Sequence, residues 1–300
     1  MNALNKMVVA ALPLVPRPAI RYFAGRYIAG ETIADAVRTV RQLNAEGVCA
    51  TLDVLGEDIE TREEAAASRR CSIDVLEAIA RERLDSNLSI KLTSLGLKLG
   101  KEYCAGNVRE ILKAAAQQGI FVRFDMEDHT CTSETIEIFR SLHREFPKSG
   151  IVLQAYLRRT EEDARRLTEE KTNFRLCKGI YREPADIAYG DRQEIQQNYL
   201  KILRAMLAGG SYVGIATHDT VLIDGASGLI REMGLRKDQF EFQMLLGVRP
   251  ELRRRLVDGG HKVRLYVPFG EHWYGYSTRR FKENPEIAGY VFRALFTRNR

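Results

Sequence analysis

The chain has 300 residues, of which 45% are hydrophobic and 29% are charged, enough to bury a full core in one or two domains. This composition excludes a disordered, collagen-like or disulfide-scaffold protein. The net charge is +6, and 34 of the 46 basic residues are arginine. Because acidic residues are interleaved with them almost everywhere, no nucleic-acid partner is expected.

Residues 1–45 form the first predicted unit, a helical arm. Its segment 7–15 is apolar but contains Pro13 and is far shorter than the roughly 20 residues of a membrane-spanning helix. Apolar residues at helical spacing continue over 19–28. The pattern predicts an arm that packs on its own protein, with a position on a membrane surface as the alternative.

Five cysteines are spread along the chain, an odd number with no two closer than 22 positions. This spacing contains no CxxC pair and no zinc-ligand pattern. The expected state is therefore reduced thiols in a cytoplasmic protein.

Residues 46–300 alternate short apolar runs with longer segments that carry charge at helical period. The strand-like runs are 48–54, 89–93, 121–126, 151–156, 175–178, 213–218, 241–245 and 263–267. The helix-like segments are 60–83, 107–118, 132–146, 161–170, 192–208, 226–233 and 250–257. This alternation predicts an α/β fold of the (βα)8 TIM-barrel type in one domain. The lack of GxGxxG and GxxxxGK(S/T) motifs argues against the competing open, doubly wound sheet.

Two helix starts and one final helix can be predicted from local signals. Residues 132–135, Thr-Ser-Glu-Thr, predict an N-terminal cap. Thr160 is followed by three carboxylates, which the positive end of a helix dipole favours. After Gly270 a final helix is predicted over the mouth of the barrel.

Polar residues gather where the predicted strands end. They are Asp53 and Glu57 after strand one, Lys91 in strand two, Asp125 and Glu127 in strand three, Gln154 in strand four, Arg175 and Lys178 in strand five, His218 and Asp219 in strand six, Gln243 in strand seven, and Tyr266 in strand eight. A buried polar group without a partner costs roughly 1–3 kcal/mol, so a purely structural barrel would not collect them. Because active sites of such barrels lie at the carboxyl ends of the strands, the pattern predicts a ligand site there.

Several of these residues have two interpretations. Asp125 and Glu127 share a strand face and either bind a divalent metal or pair with nearby cations. His218 is either a ligand or cofactor contact or a hydrogen-bonded barrel residue. Lys91 and Lys178 are either Schiff-base amines or cations that hold a fixed anion. The residues alone leave these alternatives open.

The segment 263–280, VRLYVPFGEHWYGYSTRR, is the most specific part of the sequence. On the final predicted helix, Tyr276 lies one turn before Arg279 and Arg280. One interpretation is that Arg279 forms only a surface ion pair with Glu283. The other is bidentate capture of a small carboxylate with an apolar body by the two guanidinium groups.

Taken in order, the strand-end motifs resemble those of the flavin-dependent proline dehydrogenases. They are DVLGE (53–57), SIKLTSLG (89–96), RFDMED (123–128), LQAYLRR (153–159), RLCKGIYRE (175–183), ATHD (216–219), FEFQMLLG (240–247), RLYVPFG (264–270) and YSTRR (276–280). The resemblance runs from about residue 45 to the end, and the short chain resembles the monofunctional bacterial form.

This resemblance implies FAD at the mouth of a distorted barrel, with L-proline on the flavin face. The implied flavin contacts are Asp125, Gln154, Arg175, Lys178, Gly179, Thr217 and His218. The implied substrate contacts are Lys91, Arg279 and Arg280 for the carboxylate and Tyr181, Leu245, Tyr266 and Tyr276 for the ring. The implied catalytic residues are Lys91, Asp125, Tyr266, Arg279 and Arg280.

The reaction implied by the resemblance is hydride transfer from C5 of proline to flavin N5, which gives Δ1-pyrroline-5-carboxylate. A membrane quinone is implied as the electron acceptor, so a cytoplasmic enzyme would touch the inner face of the cell membrane peripherally. Glu57 and Arg279 are implied as an ion pair that closes the site over substrate. Tyr266 matches relatives that prefer proline over hydroxyproline.

Two other function classes are compatible with the residues alone. A barrel lyase or aldolase would use Lys178 or Lys91 as an amine, or Asp125 with Glu127 as metal ligands. An RNA-binding barrel would need arginine and aromatic residues on an exposed face, whereas the aromatic residues here cluster at strand eight.

Overall fold

Eight parallel strands close into a barrel in the part of the chain that the computed structural model describes, residues 21, 25–56 and 59–277. Each strand pairs with the next in sequence, and the last pairs with the first. The strands are β1 (Cys49–Val54), β2 (Ser86–Ile90), β3 (Val122–Phe124), β4 (Ser149–Gln154), β5 (Asn173–Cys177), β6 (Val213–Ala216), β7 (Phe240–Leu245) and β8 (Val263–Phe269). The prediction of a (βα)8 barrel is confirmed.

Among the described residues, one helix precedes the barrel and seven connect its strands. The helices are α1 (Ile33–Ala45), α2 (Arg62–Arg81), α3 (Lys101–Gln118), α4 (His129–His143), α5 (Thr160–Glu169), α6 (Arg192–Ala208), α7 (Thr220–Glu232) and α8 (Pro250–Asp258). Two short 3-10 turns, Thr93–Leu95 and Leu97–Leu99, lie between β2 and α3. Residues 273–277 begin a further helix after β8, where the final helix was predicted.

Side-chain caps define most of the helix starts. Thr32 and Thr61 each form a capping box, in which the threonine hydroxyl accepts the N–H three residues on and the acidic residue there accepts the threonine N–H. Asp128, Asp191 and Asp219 cap α4, α6 and α7 by accepting a backbone N–H. Four of the strand-to-helix loops therefore end at a capping residue, Thr61, Asp128, Asp191 or Asp219, which holds the loop residues before it at the barrel mouth.

α1 packs against β1 and β8, the two strands whose pairing closes the barrel. Its buried residues belong to the main hydrophobic core; they are Ala36, Val37, Val40 and Leu43. α1 thus shares one core with the strands, and the division of the chain at residue 45 into an arm and a barrel stays a prediction.

The described residues 25–30 do not form the helix predicted over 19–28. Residues 25–27 make a turn and 28–30 run as extended chain, in which the Ala29 N–H donates to the Pro268 carbonyl of β8 at 2.9 Å. A helix would have used that N–H internally. Tyr27 and Ile28 are buried, so this segment packs on its own protein, as predicted.

The predicted boundaries differ most at β2 and α4. β2 ends at Ile90, not at 93, because Glu127 accepts the Thr93 N–H at 3.1 Å and the chain turns into a 3-10 segment. Lys91 therefore follows the strand instead of lying in it. α4 begins at His129 and is capped by Asp128, so the prediction of a cap at 132–135 is wrong. α3 and α7 also begin about two turns earlier than predicted, directly after a glycine and a capping aspartate.

Charged and polar side chains occupy the barrel interior in place of the usual aliphatic layers. The buried charged residues of the strands include Arg123, Arg175, Glu241 and Arg264. Arg175 on β5 donates to the Ser89 hydroxyl on β2 at 3.2 Å, and since these strands are not neighbours, the bond crosses the interior. Gly214 makes room for such side chains, because a Cβ there would lie 2.4 Å from Gln243 Nε2.

Candidate active site

A cavity of about 250 Å³ opens at the carboxyl ends of the strands. The described residues that line it include most of those predicted for the site: Lys91, Asp125, Gln154, Arg175, Lys178, Gly179, Tyr181, His218, Leu245, Tyr266 and Tyr276. Thr217 is buried beside the cavity without lining it. Glu57, Arg279 and Arg280 lie outside the described residues. The roles of all these residues toward cofactor and substrate stay predictions.

One ionic network joins four residues that line the cavity, Lys91, Asp125, Arg175 and Tyr266, to the buried Asp53. Lys91 Nζ donates to Asp53 Oδ1 at 2.5 Å and to the Tyr266 hydroxyl at 3.0 Å. That hydroxyl donates to Asp125 Oδ2 at 2.7 Å, and Arg175 Nη1 donates to Asp125 Oδ1 at 2.7 Å. Each charge has an opposite partner, which a buried charge needs. The network presents two cations, Lys91 and Arg175, to the cavity.

Burial sets the protonation of two members of this network. It raises the pKa of Asp53 to about 6, although Lys91 opposes the shift, and the charge of Asp125 adds to it. Asp53 Oδ2 is buried and has no hydrogen-bond partner among the described residues. Burial, with Asp125 and Asp53 nearby, raises the pKa of the Tyr266 hydroxyl well above its usual value. Tyr266 is thus a fixed hydroxyl donor, whereas Asp53 changes charge near neutral pH.

The loop between β5 and α6 lines the cavity through Lys178, Gly179 and Tyr181. Lys178 Nζ donates to Asp219 Oδ2 at 3.1 Å, and the same oxygen accepts from Arg192 at 3.2 Å. Gly179 has a φ of +111°, and a Cβ there would lie 2.1 Å from the Tyr156 ring. The loop is therefore held by an ion pair at one residue and by close packing at the next.

Replacing Gly179 by alanine is expected to lower the free energy of unfolding by about 1–3 kcal/mol. The reason is that the added methyl group meets the Tyr156 ring while the backbone keeps a conformation that alanine rarely adopts. Chemical denaturation measures the loss. Gly190→Ala in the same loop is the control, since nothing lies within 4 Å of a Cβ there. Equal stability of both variants would contradict this account of Gly179.

His218 lies at the cavity with its ring orientation fixed. Its Nε2 accepts the Leu245 N–H at 2.9 Å, so the neutral ring carries its proton on Nδ1. Arg249 donates to the His218 carbonyl at 3.0 Å. The neighbouring Thr217 hydroxyl accepts the Asp219 N–H at 3.1 Å, which supports the loop from behind. His218 thus lines the cavity with its ring hydrogen-bonded to β7.

Gln154 is the last residue of β4, and the nitrogen of its side-chain amide is hydrogen-bonded. Its Nε2 donates to the carbonyls of Met126 and Glu127 at 2.9 and 2.8 Å. Its Oε1 is buried and has no hydrogen-bond partner among the described residues. Because such an acceptor is costly when left unpaired, Oε1 indicates a donor on a bound ligand.

Asp125 and Glu127 bond to different protein groups. Asp125 bonds to Arg175, Tyr266 and Ser89, whereas both oxygens of Glu127 bond to Thr93. Asp125 thus pairs with the cation Arg175, whereas Glu127 bonds to the backbone N–H and hydroxyl of Thr93. No group of three or more His, Cys, Asp or Glu side chains suited to a metal ion occurs among the residues that the structure describes.

Sequence reasoning missed several residues that shape the cavity. Ser89 donates to Asp125 Oδ1 at 2.9 Å and accepts from Arg175, so it belongs to the ionic network. The missed apolar lining includes Met126, Val152, Ile180, Ala216 and Met244. Ser89 was detectable as a polar residue two positions before Lys91. The apolar residues carry no such signal, because strands of any barrel contain them.

A parallel barrel with a charged, partly aromatic cavity at the carboxyl ends of its strands defines a barrel enzyme. The family model described as Proline dehydrogenase matches residues 36–293. The chain therefore belongs to the proline dehydrogenase family.

The relatives are similar over most of the chain. Proline dehydrogenase 1 of Bacillus subtilis subsp. natto is 40% identical over 275 residues, which cover 92% of this chain and 91% of that protein. Proline dehydrogenase of Deinococcus radiodurans is 36% identical over 299 residues, or 95% and 96% of the two chains.

A solved structure supports the same fold. Proline utilization A (PutA) of Bdellovibrio bacteriovorus superposes with a TM-score of 0.83 and 25% identity, over 88% of this chain and 33% of that one. This chain thus spans about a third of the length of that PutA.

Proposed function

We propose that this enzyme oxidises L-proline to Δ1-pyrroline-5-carboxylate, the first step of proline breakdown to glutamate, with FAD as cofactor and a membrane quinone as electron acceptor. Family membership supports proline oxidation. The observation that carries the proposal is the ionic network, which presents Lys91 and Arg175 beside apolar and aromatic side chains. Such a surface suits an electron-rich aromatic cofactor and a small carboxylate with an apolar ring.

The residues at the cavity fit a flavin. Gln154 Oε1 is a buried acceptor without a partner among the described residues, which suits a ring N–H donor. Arg175, Lys178 and the Nδ1–H of His218 are donors suited to ring nitrogens and carbonyls that gain electron density on reduction. When bound, the flavin supplies the acceptor for the hydride that leaves C5 of proline. The protein holds the ring in place and stabilises its added charge.

Proline would bind through its two unlike parts. Lys91, assisted by Arg279 and Arg280, would hold the carboxylate, while Tyr181, Leu245, Tyr266 and Tyr276 would pack the ring. Tyr276 is buried at the cavity, where it reduces the access of water to the reacting carbon. The Tyr266 hydroxyl, a fixed donor to Asp125, keeps that carboxylate turned toward Arg175.

Among the described residues at the cavity, the two lysines do not favour the lyase or aldolase alternative. Lys91 Nζ is bonded to Asp53 and lies 3.7 Å from Asp125, and Lys178 Nζ is bonded to Asp219. Carboxylate neighbours stabilise an ammonium ion, whereas a Schiff-base lysine must lose its proton. The two lysines therefore fit anion binding.

The test is the visible spectrum and turnover of the purified protein. We expect a bound flavin that is bleached by L-proline and reoxidised by a soluble quinone analogue. Titration with D-proline is the control, because a site built on two fixed cations and a ring pocket discriminates between the enantiomers. Protein that stays colourless after incubation with FAD and does not turn over proline would overturn the proposal.

The charge of Asp53 makes carboxylate binding depend on pH. Above about pH 6 the Asp53 anion competes with a bound carboxylate for Lys91, and below it Asp53 takes up a proton. We expect the dissociation constant of cyclopentanecarboxylate, which has no amine to titrate, to fall about tenfold as the pH falls from about 8.5 to 5.5. Fluorescence titration measures it. In Asp53→Asn the constant should be flat, and an equally steep profile there would contradict the assignment.

No helix among the described residues is long and apolar enough to cross a bilayer. The proposed electron acceptor, however, resides in a membrane. To reach this acceptor, we propose, a cytoplasmic enzyme contacts the inner face of the cell membrane peripherally, and co-sedimentation with vesicles tests that contact.

A further inference from the structure

A chain of hydrogen bonds runs from Arg175 through Gln243, which also lines the cavity, into the barrel interior. Arg175 Nε donates to Gln243 Oε1 at 2.6 Å, and Gln243 Nε2 donates to Glu241 Oε1 at 2.6 Å. Arg264 donates to both oxygens of Glu241, from Nε at 2.7 Å and from Nη2 at 3.2 Å. The outer end of the chain is the Ala50 carbonyl, which accepts from Arg264 Nη1 at 2.7 Å.

The chain has one direction. Arg175 has only donors and the Glu241 carboxylate has only acceptors, so the Gln243 amide must turn its oxygen to the arginine and its nitrogen to the carboxylate. Burial opposes the charge of Glu241, but Arg264 holds the pKa of that carboxyl down at about 2. Tyr212 donates to the second oxygen of Glu241 at 3.0 Å. Glu241 is thus a permanent anchor for the Gln243 amide.

This chain leaves one nitrogen of Arg175 for a ligand. Nε is bonded to Gln243, and Nη1 is bonded to Asp125 and to Ser89. Nη2 forms no hydrogen bond to the residues that the structure describes. The Tyr266 ring lies 5.2 Å from the guanidinium carbon. With two edges of the planar group bonded, the guanidinium cannot rotate about its own axis.

We propose that Gln243, anchored by Glu241 and Arg264, is a positioning residue that turns Arg175 Nη2 toward the reduced cofactor. This inference rests on the proposed function. Without the Gln243 acceptor, Nε would be buried and unpaired, and the guanidinium would turn to satisfy it. The donor that stabilises the electron-rich reduced ring would then be displaced, while Lys91 and the proline carboxylate would keep their geometry.

The space around Gln243 indicates that this amide has a fixed place. Gly214 on the neighbouring strand β6 leaves the volume that the side chain occupies, because a Cβ there would lie 2.4 Å from Gln243 Nε2. Gln243 itself is 5% exposed. A side chain that merely filled the interior would need neither the amide nor its two directed bonds.

The test compares the reduction potential of the bound flavin in three variants of the full-length holoenzyme. Gln243→Met has a side chain of similar length but loses the hydrogen bonds to Arg175 and Glu241. We expect the reduced flavin to become about tenfold less stable relative to the oxidised flavin, because one hydrogen bond to a charged group contributes about this factor. For a two-electron couple, a tenfold change lowers the reduction potential by about 30 mV. We also expect kcat to fall by a similar factor, with KM for proline changed less than about twofold.

Gln243→Glu is the conservative variant, and it keeps the test valid if the methionine variant fails to fold. A protonated glutamic acid reproduces both bonds, whereas an ionised one is repelled by Glu241. We therefore expect a potential equal to that of the wild type at low pH, and one below the wild-type value at the same pH once the new carboxyl ionises. Arg123→Lys is the control, since Arg123 is equally buried but bonds to Asn173 and the Ile151 carbonyl. It should lower stability and leave the potential unchanged.

The possible results separate the two proposals. A wild-type protein without bound flavin or proline turnover overturns both. A wild-type flavoprotein that oxidises proline, together with Gln243 variants whose potentials match that of Arg123→Lys, overturns the positioning role alone. A Gln243→Met variant that changes KM for proline and leaves the potential intact also overturns it.

Discussion

Replacing Asp125 by alanine is expected to lower kcat/KM for proline about 1000-fold, as for the loss of one partner from a buried ion pair. Asp125 accepts from Arg175, Tyr266 and Ser89. Without this carboxylate, Arg175 Nη1 loses its charged partner among the described residues, and Lys91 loses the carboxylate that lies 3.7 Å away. The two cations are then neither oriented nor fully compensated. Steady-state kinetics with proline and a soluble quinone analogue measure the loss.

Asp125→Asn and Asp128→Ala separate charge from geometry. The asparagine variant keeps an acceptor for Arg175, so we expect a smaller loss than in the alanine variant. Asp128 lies three residues further on and only caps α4, so its loss should lower stability while kcat/KM stays within about twofold. If Asp125→Ala retained more than a tenth of the wild-type activity, the network would not be the centre of the site.

Much of the site could be predicted because barrel geometry brings strand ends together. Gln154 and Tyr266 stand out as polar groups in apolar runs, and the parallel barrel brings their strands to one mouth. Strand alternation similarly placed Asp125 beside the cavity. The alternation of side chains along a strand does not predict which residue each polar side chain bonds to. Whether Asp125 meets a metal or an arginine depends on which side chains reach across the barrel.

The charged interior was not predictable for the same reason. Glu241, Arg264 and Arg123 occur among apolar residues with the period of an ordinary exposed strand face. In a barrel, the second face of the strand is the interior, and only cross-barrel distances show that these charges compensate one another. The shift of β2 has a similar cause, because Thr93 leaves the strand to bond with Glu127, a residue 34 positions away.

The caps show where local signals are sufficient and where they are ambiguous. The threonines before α1 and α2 are followed three residues later by an acidic residue, the pattern of a capping box, and both boxes form. Before α4 the chain offers Asp128 and then Thr132, and either residue type can cap a helix. The choice falls on Asp128 because Cys131 and Thr132 must face the core inside the helix.

Replacing Lys91 by methionine is expected to raise KM for proline about 100-fold with little change in kcat, since losing one partner of a buried charge pair costs 2–5 kcal/mol. Lys91 Nζ contacts Asp53, Asp125 and Tyr266, and it is the described cation proposed to hold the substrate carboxylate. Its removal leaves Asp53 and Asp125 without the ammonium ion that contacts both, and Asp125 lines the cavity. A proline carboxylate would then meet repulsion where it had met an ammonium ion.

Pyrrolidine, which has the ring and the amine but no carboxylate, distinguishes substrate binding from a general collapse of the site. The Lys91→Met variant should turn over pyrrolidine as fast as the wild type does. The ratio of kcat/KM for proline to kcat/KM for pyrrolidine should therefore fall about 100-fold. Lys101→Met, which removes an exposed cation paired with Glu137, should leave both substrates unaffected. An equal loss for proline and pyrrolidine in Lys91→Met would show that the lysine supports the fold of the site and does not bind the carboxylate.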